Sequence, residues 1–230
     1  MVKVIKKGLE TSVQDYPGRI GTLNQGFPAS GPMDSWSFRL ANILVGNETG
    51  EAALECQFMG PTLKFENDRM IAITGANMSP KLDGKKIPLW ESIKVKANQI
   101  LEMEFATIGA RSYIAFSGGI NSDPWLGSRS TFHKAGVGGI DGKAIQDGQT
   151  LPLGKNKIIP KRKITRISQT EESDEKTLGH LLLTARKLAQ TQNLEAGFRI
   201  VINNGSEGGE SVPHLHVHLL GGRQMKWPPG

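Results

Sequence analysis

From residue 1 to about 154 the apolar residues come only in short runs, and a glycine, proline or Asx turn follows most of them. Such spacing cannot build a long helix. It builds short strands joined by tight turns. The runs at 3–5, 62–65, 70–74, 93–96, 100–105 and 112–116 are apolar or alternating. Turn signals stand between them at Tyr16-Pro17-Gly18, Asn67-Asp68, Leu82-Asp83-Gly84 and Ser117-Gly118-Gly119. One helix interrupts the strands. Asp34 is placed to cap it, Trp36, Leu40, Ile43 and Leu44 give it an apolar face, and Gly46 stops it. Many short strands with Gly-rich turns predict a barrel or a sandwich.

After Leu151-Pro152-Leu153-Gly154 the pattern changes. A basic, strand-like piece at 157–164 leads into an acidic stretch at 169–175. Leu178, Leu181, Leu182, Ala185, Leu188 and Ala189 then recur at helical spacing, with Ser173 or Asp174 as N-cap. A strand at 198–203, a Gly/Ser loop and a strand at 212–219 complete the chain. The expected division is 1–154, β-rich, and 155–230, one helix on an antiparallel sheet, with a mixed fold class overall.

No apolar run approaches the roughly 18 residues that span a bilayer, and the first residues lack the apolar core of a secretory signal. One cysteine, Cys56, makes neither an internal disulfide nor a cysteine-based metal site. A cytoplasmic location is expected, with no membrane partner. Net charge is +6, from 17 basic and 15 acidic residues over 1–155 and 11 and 7 over 156–230. The one concentrated basic stretch, 155–166, carries no aromatic stacking pattern and reads as a solvated strand and linker, so no nucleic-acid partner is expected.

Three of the five histidines fall at His214, His216 and His218. On a strand they share one side, about 7 Å apart, while Leu215, Val217 and Leu219 enter a core. Imidazoles suit zinc or copper, but successive i, i+2 histidines on one strand seldom converge on one ion, so no metal is expected. The preceding loop runs Asn203-Asn204-Gly205-Ser206-Glu207-Gly208-Gly209-Glu210-Ser211. Its glycines would let backbone N–H groups approach an anion, and its serines add donors. A neutral imidazole is a competent nucleophile toward phosphorus. Phosphate chemistry is the reading that uses both features.

The pieces IIPKRKITRIS, GHLLLTARKLA, GFRIVINNGSEGGESV, HLHVHLL and GGRQMKWPPG resemble the C-terminal half of the histidine-triad family, Hint branch. The resemblance implies a nucleotidyl hydrolase or purine nucleoside phosphoramidase. His216 would be the nucleophile that takes the nucleotide as a covalent intermediate, His214 would orient it, and His218 would contact phosphate oxygens. Asn203, Gly209 and Ser211 would complete the phosphate cradle, with Ser211 assisting the leaving group, and Trp227 would belong to a tail that reaches a partner protomer. The family segment that builds the nucleoside pocket is absent, and a family histidine is replaced by Lys163. The expected activity is therefore impaired.

The motifs Thr11-Ser12-Val13-Gln14-Asp15-Tyr16-Pro17-Gly18-Arg19 and Pro28-Ala29-Ser30-Gly31-Pro32-Met33-Asp34, with matches at 40–47, 53–56, 60–62, 73–76, 111–115 and 126–131, resemble a second family. It is the carboxyltransferase family found in urea amidolyase and in one of the subunits of 5-oxoprolinase. The resemblance implies a cyclophilin-like β-barrel, here only its first half, acting as a subunit of a 5-oxoprolinase or urea-carboxylase-like complex. Gln14, Asp15 and Arg19 would bind a carboxylate or carbamoyl group or pin their loop; the turns at 30–34 and 127–131 are open in the same way. Residues 136–143 have the wrong spacing for a Walker A loop, and Met225-Lys226-Trp227 lacks a biotinylation motif's second methionine. No cofactor is expected to be bound covalently. Biotin or ATP would come only through partner subunits, and a nucleotide is the small-molecule partner the second half implies. A homo-oligomer is expected, and a non-catalytic fusion of two partial domains is the third alternative.

Overall fold

The computed structural model describes residues 1–156, 166–210 and 215–226. It divides into two compact units, Met1–Lys163 and Ile164–Gly230.

In the first unit the strands are β1 (Val2–Lys6), β2 (Glu10–Gln14), β3 (Ala53–Gln57), β4 (Thr62–Phe65), β5 (Arg69–Asn77), β6 (Lys81–Leu82), β7 (Lys85–Lys86), β8 (Ser92–Val95), β9 (Ile100–Glu102), β10 (Ile108–Phe116) and β11 (Thr150–Leu151). Helix α1 (Ser35–Leu44) lies between β2 and β3. All pairings are antiparallel. One sheet runs β11-β1-β4-β9-β6-β7 and the other β2-β3-β10-β5-β8. Among the described residues these are two open sheets, so the mainly β architecture is as expected and the closed barrel is not seen. Alternation along each strand explains the layering. Val2, Val4, Leu63, Phe65 and Leu101 of one sheet meet Val13, Leu54, Ile71, Ile73, Ile114 and Phe116 of the other in one buried core. Each such side chain contributes about 1.5–3 kcal/mol. Cys56 lies in this core, where burial pushes its thiol pKa up to about 12.

The intervening residues Ala53, Ala72, Tyr113 and Ala115 face α1, meeting Phe38, Ala41 and Val45. Asp34 caps that helix as expected, its carboxylate accepting the N–H groups of Trp36 and Ser37. The apolar face is only partly the expected one, for Leu44 packs on this cluster. Trp36 and Ile43 are exposed, while Phe38 and Ala41 are buried. Small alanines on the sheet leave room for the Phe38 ring, which meets Tyr113 edge-on. Strands β2 and β3 carry no apolar run that announces them, and β5 and β10 extend well beyond the runs that mark their positions.

The second unit holds α2 (Glu175–Thr191) and a two-stranded sheet of β12 (Phe198–Val201) and β13 (His218–Gly221), paired with Val201 opposite His218 and Phe198 opposite Gly221. Helix and strands occur where expected, but with three differences. Asp174 stands at the N-cap, yet its carboxylate accepts the N–H of Glu171 and not one from α2. Ala185 and Ala189 are buried, whereas Leu182 and Leu188 are 47% and 51% exposed. Two strands offer too narrow a surface to cover the whole leucine stripe. Finally, Leu215, His216 and Val217 are not in a strand, and they are half-buried, as is Leu219. Of the expected strand at 212–219, 215–217 are thus outside any strand and 218–219 within one, while 212–214 lie outside the described residues. The basic segment 157–164 and Trp227 also lie outside them.

Among the described residues no helix is long and apolar enough to cross a membrane.

Candidate functional site

In the first unit the two opening motifs and the 126–131 motif, more than ninety residues apart, close on one another. Asp15, at the end of β2, is buried, and its carboxylate accepts from Ser128 Oγ at 2.5 Å, Ser130 Oγ at 2.6 Å and the Arg129 N–H at 2.6 Å. Arg19 is 1% exposed. Its guanidinium donates to the carbonyls of Trp125 (3.3 Å) and Ser130 (2.9 Å) and to Ser30 Oγ (3.2 Å). Burial pulls its pKa below the usual guanidinium range, and the Asp15 charge opposes that shift. Gln14 donates to Ser12 Oγ and accepts the N–H of Gly31. The turn at 30–34 is fixed from the far side: Glu55 accepts from the N–H of Met33 and from Tyr113 Oη, which in turn accepts the N–H of Asp34. With these donors and acceptors matched inside the protein, Gln14, Asp15 and Arg19 form a platform, and they pin the loops instead of facing solvent.

That platform carries a cleft. Arg19 lies over the Trp125 indole at 4.8 Å from the ring centroid, and Phe27 packs edge-on against the same ring at 4.6 Å. Trp125, Asn121, Asp123, Val137, Ile140 and Asp141 line an open cleft of about 710 Å³, closed on one side by the glycine-rich stretch 136–142. Gly138 and Gly139 have positive φ and pack directly on the Ser130 carbonyl and the Thr131 hydroxyl, leaving no space for a side chain. Trp125 is not legible as a site residue in the sequence, since a single aromatic in a Pro-containing turn gives no signal of the arginine that will lie on it.

In the second unit the loop at 203–210 and the histidines are neighbours through the β12–β13 pair. His216 and His218 meet edge to face, with ring centroids 4.7 Å apart, closer than strand neighbours because 215–217 is not extended in a sheet. His218 is exposed on β13, and His214 and Ser211 lie outside the described residues. Asn203 Nδ2 donates to the carbonyl of Gly209 at 3.2 Å, so both expected cradle members belong to one turn. The turn's own groups use up most of its donors. The N–H groups of Gly208 and Glu210 go to the Gly205 carbonyl and that of Gly209 to Ser206. Glu210, which the histidine-triad resemblance does not single out, accepts from the Gly205 N–H at 2.5 Å and from Arg166 Nε at 2.7 Å. The Gly205 N–H, and then Arg166, hold the Glu210 carboxyl below the usual range against an opposing contribution from burial.

The carboxyltransferase domain, subdomain A and B, matches this chain over residues 25–198. The chain belongs to the carboxyltransferase domain family. The match runs past residue 154 into the second unit. Urea amidolyase of Saccharomyces cerevisiae is 40% identical over 181 residues, covering 74% of this chain and 10% of the relative. A 5-oxoprolinase subunit from Escherichia coli is 40% identical over 157 residues, covering 68% of this chain and 50% of the relative. The crystal structure of Kluyveromyces lactis urea amidolyase superposes with a TM-score of 0.65 at 45% identity, over 66% of this chain and 9% of that one. The chain therefore spans about half of one of these carboxyltransferase relatives and about a tenth of the others. A HIT family hydrolase from Legionella pneumophila is 51% identical over 31% of this chain and 65% of its own, but its TM-score of 0.29 establishes no common fold.

Proposed function

We propose that residues 1–154 serve as a carboxyltransferase-type subdomain in an amidolyase assembly of the urea amidolyase or 5-oxoprolinase kind. In this reading the cleft over Trp125, whose lining includes the carboxylates of Asp123 and Asp141, receives a small carbamoyl- or amide-bearing substrate. The observation that carries it is the cleft's construction: a glycine-rich wall and an indole held by a buried, internally satisfied Arg19–Asp15 network. The N–H groups of Gly136, Val137, Gly139 and Gly142 already serve protein carbonyls and hold the wall in place; a fixed wall and an aromatic face, preset by groups that need no rearrangement, suit a small planar polar substrate. The platform residues position; Trp125 and the 136–142 backbone touch the ligand. Biotin or ATP chemistry would be supplied by partner subunits, with no cofactor attached to this chain, and the domain division at 154–155 is part of the same proposal. Calorimetric titration with 5-oxoproline and with urea is the test. Binding of one of them, weakened about tenfold or more by Trp125→Ala with the fold retained, is expected; affinity unchanged in that variant would remove the cleft from the function.

The contact between His216 and His218 beside the 203–210 loop favours a second reading, a histidine-triad nucleotidyl hydrolase acting on a nucleotide through His216. Here His214 orients, His218 and the Asn203, Gly209 and Ser211 groups hold phosphate, and the chain self-associates. The segment that would hold base and ribose is absent, and positioning of that kind is worth about 7–11 kcal/mol of barrier. Slow turnover of adenosine 5′-phosphoramidate, abolished by His216→Ala, is the expected result. Turnover that survives the substitution refutes the assignment. The remaining reading, a non-catalytic fusion, is left standing if neither substrate class binds.

A further inference from the structure

We propose that the loop at 203–210 is an oxyanion site that the chain keeps closed with its own Glu210 carboxylate, which stands where the phosphate group of a phosphate monoester would bind. The inference rests on the second reading above, which places phosphate at this loop, and it adds the residue that governs entry.

The carboxylate is bound as a ligand would be. Gly205 offers it a backbone N–H from a left-handed turn, and Arg166 offers a guanidinium N–H. Oriented backbone amides in such a turn, together with an arginine, are the donors that recognise phosphate oxygens. The Glu210 side chain is only 4% exposed, although it belongs to a surface loop. Its second oxygen, Oε1, is buried and has no hydrogen-bond partner among the described residues. A carboxylate buried only to hold the loop together would be expected to satisfy both oxygens, and this one leaves Oε1 unmatched. The N–H groups of Gly208, Gly209 and Glu210 already serve the turn's own carbonyls, so Gly205 and Arg166 are the donors for which a phosphate must compete.

The two occupants exclude one another. Both are anions seeking the same two donors, and like charges brought together in a partly desolvated site repel strongly. Glu210 is also held in its charged form by those same donors. Phosphate must therefore displace the side chain, and the loop binds it weakly while Glu210 is present.

The test is Glu210→Gln in the full chain. Glutamine keeps an acceptor for the Gly205 N–H, so the turn retains its hydrogen bond while the charge is removed. Titration with inorganic phosphate, followed by ³¹P NMR, is expected to show a gain in affinity of about tenfold or more over the wild type. Reversal of that gain by the added change Arg166→Gln is expected too. Equal affinity in wild type and variant, or no phosphate binding by either, overturns the proposal. Should the variant not fold, the Gly205 amide of the wild type gives the answer. Its NMR resonance should stay in place at micromolar phosphate and move only at far higher concentrations, and a shift at micromolar phosphate overturns the proposal. Adenosine 5′-phosphoramidate turnover is measured separately. A phosphate gain in Glu210→Gln without turnover supports the closed site and discards the hydrolase reading.

Discussion

Asp15→Ala is expected to lower stability by about 3–5 kcal/mol. The substitution removes the acceptor of Ser128 Oγ, Ser130 Oγ and the Arg129 N–H at once. Each buried donor left unsatisfied costs about 1–3 kcal/mol. It also leaves Arg19 buried without the charge that offsets its desolvation. Against a whole-domain stability of about 5–15 kcal/mol, that loss is a large fraction, and the melting temperature should fall by about 10 °C. Asp15→Asn, which keeps one acceptor oxygen, should lose less. Thermal and urea unfolding followed by circular dichroism measure both. A melting point for Asp15→Ala within about 2 °C of wild type would mean that the platform contributes nothing, and the cleft it carries would lose its rationale.

The same network shows where a sequence can be read and where it cannot. Helix α1 is legible because its signals are local: Asp34 before it, Gly46 after it, and apolar spacing between. Its buried face is not, because that depends on the alanines of β3, β5 and β10 that it meets. Strand β2 is hidden for a related reason. Thr11, Ser12, Gln14 and Asp15 are all buried. Buried polar residues give no alternation, and what compensates Gln14 and Asp15 lies at Ser128, Ser130 and Thr131, more than a hundred residues away. The motifs at 11–19, 28–34 and 126–131 are visible separately; their convergence is a property of the folded sheets. In the second unit the Gly/Ser loop is recognisable as a turn able to hold an anion. An acid at its end, Glu210, is the one local signal that the chain supplies that anion itself. Burial of Leu215, Val217 and Leu219 was expected from alternation alone, and it is only partial because two strands supply little to bury them against.

Gly138→Ala should be a severely damaging methyl addition in the cleft wall, and Gly136→Ala provides its control. Both glycines are left-handed, at φ of 70° and 65°. An alanine in that conformation costs about 1–2 kcal/mol wherever it occurs, so this part of the penalty is common to the two variants. Space separates them. A Cβ on Gly136 would meet nothing within 4 Å, whereas a Cβ on Gly138 would lie 2.1 Å from the Ser130 carbonyl oxygen and 3.0 Å from Arg19 Nη2. Ser130 cannot yield locally. Its hydroxyl is bound to Asp15, its carbonyl accepts from Arg19, and the adjacent Arg129 carbonyl accepts the Gly139 N–H at 2.9 Å. Accommodating the methyl group therefore means separating the 136–142 wall from the platform and breaking those bonds together. A loss of about 4 kcal/mol or more is expected for Gly138→Ala, against about 1–2 kcal/mol for Gly136→Ala. Ligand binding in the cleft should follow the same order, lost in the first variant and nearly kept in the second. Urea unfolding free energies for the two variants that agree within about 0.5 kcal/mol would show that the wall does not rest on Ser130, and that the buried network does not shape the cleft.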